Sequence, residues 1–157
     1  MGDGRCGLRL QSTKSPLPRF LLSVRFTHSF MVNILPLSTT SGRGHYDLDA
    51  WKYSRELVST IYRLTQTFPR EEQFGLAAQM RRASVSIPSN IAEGAARSGS
   101  REYAHFLNLA RGSLSELETQ LFIATDLGYL DSDHLVFPMI DRVSKLVTGL
   151  HKAIRNR

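Results

Sequence analysis

One run of apolar residues constrains this chain more than any other feature. Tyr103, Leu107, Ala110, Leu114, Leu117, Leu121 and Ala124 follow one another by steps of 4, 3, 4, 3, 4 and 3 residues. Six such steps place seven side chains on one stripe of an α-helix and describe a coiled-coil-like seam. A helix with that stripe must bury it, so the chain has to supply partner helices. Phe106, Leu109 and Ile123 lie off the stripe, which makes a second face of the same helix partly apolar.

Three further helical patterns supply the partners. The first runs from about Asp47 to Thr67. Leu48, Trp51, Arg55, Val58, Tyr62 and Thr65 form one stripe, and Leu57, Ile61, Leu64 and Phe68 a second beside it. Phe68-Pro69 ends it, because proline disfavours helical geometry in the residue before it. The second pattern opens near Pro69, with Glu71 and Glu72 where the helix dipole favours negative charge. Met80, Ala83, Ser84, Ile87 and Ile91 line its apolar face. Pro88 lies inside it and meets the carbonyl of Ser84, so a kinked but continuous helix is expected. A break with a restart is the competing form, since Asn90 and Glu93 have capping-box spacing.

The turn Gly94–Gly99 leads into the helix of the opening seam, with Ser100 as its expected N-cap and Glu102 in its first turn. Gly128 suits the position just past its end. Asp131, Ser132 and Asp133 offer caps for the last helix, whose apolar face is Val136, Met139, Ile140, Val143, Leu146, Val147, Leu150 and Ile154. Four helices of about 20 residues with short connections predict an all-α fold, an antiparallel up-down-up-down four-helix bundle over residues 46–157.

Residues 1–45 read differently. They carry six basic residues against Asp3 alone, a net of +5, whereas residues 46–157 carry 14 basic against 13 acidic, a net of +1. The basic character of the whole chain therefore belongs to this segment, and nucleic-acid binding by the body needs a local patch. Arg25 and His28 interrupt its apolar pieces, which excludes a secretory core and a membrane span. A transit-peptide composition fits better, but the absence of periodicity favours a disordered extension or a mis-assigned start, with translation beginning at Met31 or later. Cys6 is the lone cysteine, which excludes an intrachain disulfide and suits a reducing cytoplasm.

No catalytic constellation is present. GxSxG, P-loop and GxGxxG patterns are missing, as are the paired Glu-x-x-His motifs of di-iron bundles. His28, His45, His105, His134 and His151 have no ligand spacing, so neither an enzyme nor a metal or other cofactor is expected. What remains is a set of arginines. Arg81, Arg82, Arg97, Arg101 and Arg111 recur along the second and third helices, and the intervening turn brings Arg97 beside Arg101. Clustered guanidinium groups favour phosphate, hence nucleic-acid backbones. The competing role is pairing between helices or between subunits, as Glu93 and Arg97 stand four apart and Arg111 can pair with Glu116 or Glu118 of a neighbouring helix or subunit. Ser89, Asn90 and Glu93 form a polar cluster beside Pro88, read as structural: with Ser84 and Ser86 they can serve backbone groups the proline leaves unbonded. The aromatic residues, Phe106 among them, have rings that can stack on bases, but at helical spacing they are read as core or subunit interface. Gly112 is read as a point of close helix approach.

The segments IYRLTQTFP, EEQFGLAAQMRRASVSIPSNIAEGAARSGSREYAHFLNLARGSLSELETQL and LGYL resemble the four helix bundle protein family, also called the 23S rRNA intervening-sequence protein family. The resemblance spans about Tyr46 to Leu130, with a looser last helix. It implies a small bacterial bundle in the cytoplasm that assembles with itself, as a pentamer, and has an RNA link. A related group, the retroelement accessory variability determinant proteins, implies a reverse transcriptase as a further partner. The expectation is a non-enzymatic homo-oligomeric scaffold that binds RNA and has no membrane partner. The alternative is a protein–protein adaptor that binds none.

Overall fold

The structure is a computed structural model and describes residues 44–157. It contains four α-helices: α1 Asp49–Leu64, α2 Leu76–Ala95, α3 Ser100–Asp126 and α4 Val136–Arg155. Short 3-10 turns occupy Gly44–Asp47 and Arg70–Gln73, and there is no strand among the described residues. The expectations of disorder or a mis-assigned start for the N-terminal segment lie, up to residue 43, outside the described residues. Among those described, no helix is long and apolar enough to cross a membrane.

The helices pack around a single core. α1 packs on α2 and α4, and α3 packs on α2 and α4, so each helix has two neighbours. The opening seam is buried as its spacing requires: Leu107, Ala110, Leu114, Leu117, Leu121 and Ala124 are all inside, with Tyr103 half-buried at the near end. On α1 the burial follows Leu57, Ile61 and Phe68, joined by Ala50, Ser54, Thr60 and Thr65. Of the first stripe, Arg55 and Tyr62 are exposed, Leu48, Trp51 and Val58 are partly covered, and Thr65 is buried. The small polar residues can lie in the core because they carry their own solution: the hydroxyls of Ser54 and Thr65 donate to the carbonyls of Trp51 and Ile61, each at 2.8 Å. A buried hydroxyl that bonds its own helix needs no other partner.

Helix starts depart from the sequence expectations in a consistent way. α2 does not begin at Pro69; that proline opens the 3-10 turn, and the α-helix starts at Leu76. The Glu72 carboxylate accepts from the Leu76 N–H at 2.9 Å, so an acidic residue of the preceding turn caps the helix. Ser100 is the first residue of α3, not its cap; Gly99 holds that position and no side chain bonds the free N–H groups. At α4 the cap comes from His134, whose Nδ1 accepts from the Val136 N–H at 3.1 Å, in place of Asp131, Ser132 or Asp133. Pro138 falls in the first turn of α4, where its missing N–H has no partner to lose. Gly128 ends α3 as expected. Its φ of 74° is left-handed, and Tyr129 and Gly128 donate to the carbonyls of Ala124 and Thr125, both at 2.9 Å.

Pro88 sits inside an unbroken α2. Side chains bond the carbonyls next to the one it obstructs: Ser89 Oγ donates to Val85 O and Asn90 Nδ2 to Ser86 O, each at 2.8 Å. Asn90 also donates to Ser86 Oγ, which in turn receives a bond from Ser113 Oγ of α3 at 2.9 Å. The predicted capping box at Asn90 and Glu93 does not form, because the backbone is helical on both sides.

His151 is the unusual member of the core. It lies between Val147 and Ile154 on the buried face of α4, 6% exposed, and its Nε2 has no hydrogen-bond partner among the described residues. Burial lowers its pKa below 6.5, and the positive charges of Arg111 on α3 and Arg155 on α4 lower it further. The unfolded chain then binds more protons than the folded one between that lowered value and about 6.5, so stability rises with pH through this window. Urea unfolding is expected to show a free energy that falls from pH 7.5 to pH 5.5, by at most about 1.4 kcal/mol per pH unit. His151→Leu is expected to flatten that dependence without loss of stability at pH 7.5. A variant with an unaltered pH profile would assign the effect elsewhere.

Candidate nucleic-acid interface

The five arginines separate into distinct environments. Arg81 is half-buried and turned into the protein. Its Nε donates to Thr65 Oγ1 at 2.8 Å and its Nη2 to the Thr65 carbonyl at 3.2 Å, while the guanidinium lies 5.5 Å from the Tyr62 ring centroid. It ties α2 to the end of α1, and Thr65 is fully buried beneath it. Arg81 is thereby taken up by the fold. Arg82, the next residue, is exposed and points away. Arg111 is also exposed; its Nη1 donates to Asn108 Oδ1 at 3.2 Å, not to Glu116 or Glu118. Glu116 instead accepts from Gln120 Nε2 at 3.0 Å.

Arg97 and Arg101 do come together, at the turn between α2 and α3. With Glu102, His105 and Phe106 they line an open depression of about 420 Å³. Arg97 follows the end of α2 and pairs with Glu93 at 2.6 Å, with both side chains about half exposed. An ion pair so exposed contributes little, on the order of 0–1 kcal/mol, and is easily exchanged. The same guanidinium lies 4.9 Å from the Phe106 ring centroid. Arg101 and His105 are exposed on the first two turns of α3, one helical turn apart. Of the proposed polar cluster, Glu93 belongs to this region, whereas Ser89 and Asn90 bond the α2 backbone around Pro88.

The depression owes its shape to Gly94. A Cβ there would fall 2.6 Å from Tyr103 Cδ2 and 2.9 Å from Phe106 Cβ. Only hydrogen fits, so the first turns of α3 lie directly against the end of α2. Gly94, not Gly112, is the glycine of close approach within the chain; nothing stands within 4 Å of a Cβ at Gly112. Tyr103 extends the region toward α4. Burial raises its pKa, and the charge of Arg157 at the chain's end partly offsets the rise. Phe106 stands one residue before Leu107 of the buried seam, so its spacing favours core or subunit interface over base stacking; the structure places it on the wall of the depression. Nothing in the spacing joins residue 157 to residue 103. The signal that was available is the Gly94–Phe106 interval, which brackets a helix turn. Among the described residues no group of three His, Cys, Asp or Glu side chains is placed to hold a metal ion.

Comparison with known proteins agrees with this architecture. The family model described as "23S rRNA-intervening sequence protein" matches residues 46–149. Among solved structures, the fold is similar to the crystal structure of a protein with unknown function from the S23 ribosomal protein family of Bacteroides thetaiotaomicron VPI-5482. The TM-score is 0.52 at 20% sequence identity, over 67% of this chain and 94% of that one. No curated protein matches.

The different environments of the arginines give a direct test. Arg81→Gln is expected to lower the unfolding free energy by about 1–3 kcal/mol, since it takes the guanidinium bond from the carbonyl of buried Thr65. Arg82→Gln, at an exposed position, is expected to stay within about 0.5 kcal/mol of the parent. Urea unfolding of both variants checks the contrast, and equal effects would contradict it.

Proposed function

The chain belongs to the 23S rRNA-intervening sequence protein family, and from that premise we propose that it is a non-enzymatic scaffold that assembles with itself and binds RNA. The observation that carries the proposal is the depression in which Arg97 and Arg101 stand side by side with His105 and Phe106. Two guanidinium groups within one open site meet the requirement for phosphate contact that net charge of the body does not. Arg82 and Arg111 are further exposed cations on the same two helices; Arg81 is better explained by its bonds to Thr65.

Self-assembly is supported by the outer surface of α3. Leu109, Phe122 and Ile123 are 44%, 56% and 43% exposed. Leu109 and Ile123 are two heptads apart and so share a face. α1 offers less apolar surface, because Trp51 is covered by Tyr46, His45 and Arg55. An up-down-up-down antiparallel bundle fits the circuit of helix contacts and the short turns. Within it, Gly94 meets Tyr103 and Phe106 while Ser86, earlier on α2, meets Ser113, later on α3. A ring of such bundles, a pentamer in our proposal, repeats a modest basic site and gains avidity that one copy lacks. The proposed setting is the cytoplasm, with RNA as the partner and a reverse transcriptase as a further candidate.

The test is charge reversal at Arg97 and Arg101 together, read by RNA binding at several salt concentrations and by light scattering for mass. The expected result is RNA affinity lowered at least about tenfold with an unchanged assembly mass. Dissociation of the assembly by the same variant would favour the adaptor reading, in which these arginines hold protein partners. Unchanged affinity and salt dependence would remove them from the site.

A further inference from the structure

The depression at the α2–α3 turn contains more than positive charge. Arg97 lies over the face of Phe106, and His105 meets the same ring edge-on, with centroids 5.6 Å apart and planes at 70°. Phe106 is anchored from behind, since its Cβ is one of the atoms pressed against Gly94. The outcome is a planar cation over the face of an anchored aromatic ring, both on the wall of an open depression that Arg101 also lines. Contact with phosphate alone needs only cations and leaves bases unread. Guanidinium planes and aromatic rings are the surfaces on which unpaired bases stack. In a duplex those base faces are already covered by their neighbours and cannot reach such a platform.

Resting on the RNA-binding reading of this site, we propose that the depression accepts an unpaired nucleotide, so the RNA bound is single-stranded or looped at the point of contact. The base stacks on the Arg97–Phe106 pair with His105 at its edge, and Arg101 holds the adjoining phosphate. Glu93 keeps the Arg97 guanidinium flat through their 2.6 Å ion pair, a positioning role. Glu102, on the rim, repels phosphate from its own side and offers an acceptor to a base amine or a ribose 2′-hydroxyl. A volume of about 420 Å³ falls within the range of small-molecule sites, which is ample for one nucleotide.

Fluorescence anisotropy with the full chain tests this, using one short labelled RNA either alone or annealed to its complement. The single strand is expected to bind at least about tenfold more tightly at equal salt. Arg97→Lys keeps the charge and removes the planar surface; it is expected to lower single-strand affinity about fivefold or more while leaving the salt slope unchanged. Arg101→Gln is expected to reduce that slope by about 0.7, the value for one neutralised phosphate on a single strand. Circular dichroism and light scattering confirm that both variants keep fold and mass. Equal affinity for duplex and single strand, or a silent Arg97→Lys, overturns the stacking site and leaves RNA binding standing. Binding of neither RNA overturns the RNA-binding reading, and the stacking site with it.

Discussion

Position 94 has room for a hydrogen atom and for nothing larger. Tyr103 and Phe106 press into the space a Cβ would need, which lets the start of α3 lie directly against the end of α2. Close-packed interiors transmit such constraints instead of absorbing them. Here the consequence runs outward. Phe106 is fixed, Arg97 rests on its ring, and Arg101 and His105 are carried by the same turns of α3. Core packing and the basic depression are two sides of one helix contact.

That contact is supported along the rest of the α2–α3 interface. Ser86 and Ser113 bond across it, and Asn90 joins them from the far side of Pro88. A proline inside a helix costs about 3 kcal/mol when nothing compensates for it. In α2 the helix runs unbroken past Pro88 to Ala95, with Ser89 and Asn90 donating to the carbonyls of Val85 and Ser86 beside it. Small residues thus do two things on α2: Gly94 admits the side chains of the neighbouring helix, and Ser86 bonds that helix through Ser113.

Helix identity and the α3 seam were legible because heptad spacing repeats burial many times over, and one exception does not erase it. Starts of helices were less legible. Caps are single contacts, and Glu72 and His134 cap from turns whose geometry no periodicity encodes. The α1 face was half legible, since Ser54 and Thr60 look polar in sequence but each bonds a carbonyl of its own helix. At the site, the Arg97–Arg101 adjacency followed from one short turn. The burial of Arg81 against Thr65 did not, as the two residues are 16 apart and belong to different helices. Phe106 was half legible: an aromatic ring can stack on bases, but beside a seam it reads as core or subunit interface unless the cation above it is known.

The most direct measurement is a comparison of two glycine-to-alanine variants by equilibrium urea unfolding. Alanine stabilises an open helix interior by up to about 1 kcal/mol, and Gly112 is such a position. At Gly94 the added methyl must displace an aromatic ring held between helices, at about 1–3 kcal/mol. Gly112→Ala is therefore predicted to be neutral or stabilising, and Gly94→Ala to lose stability despite the better helix former. A Gly94→Ala protein at least as stable as its parent would contradict the close contact on which both the core and the depression rest.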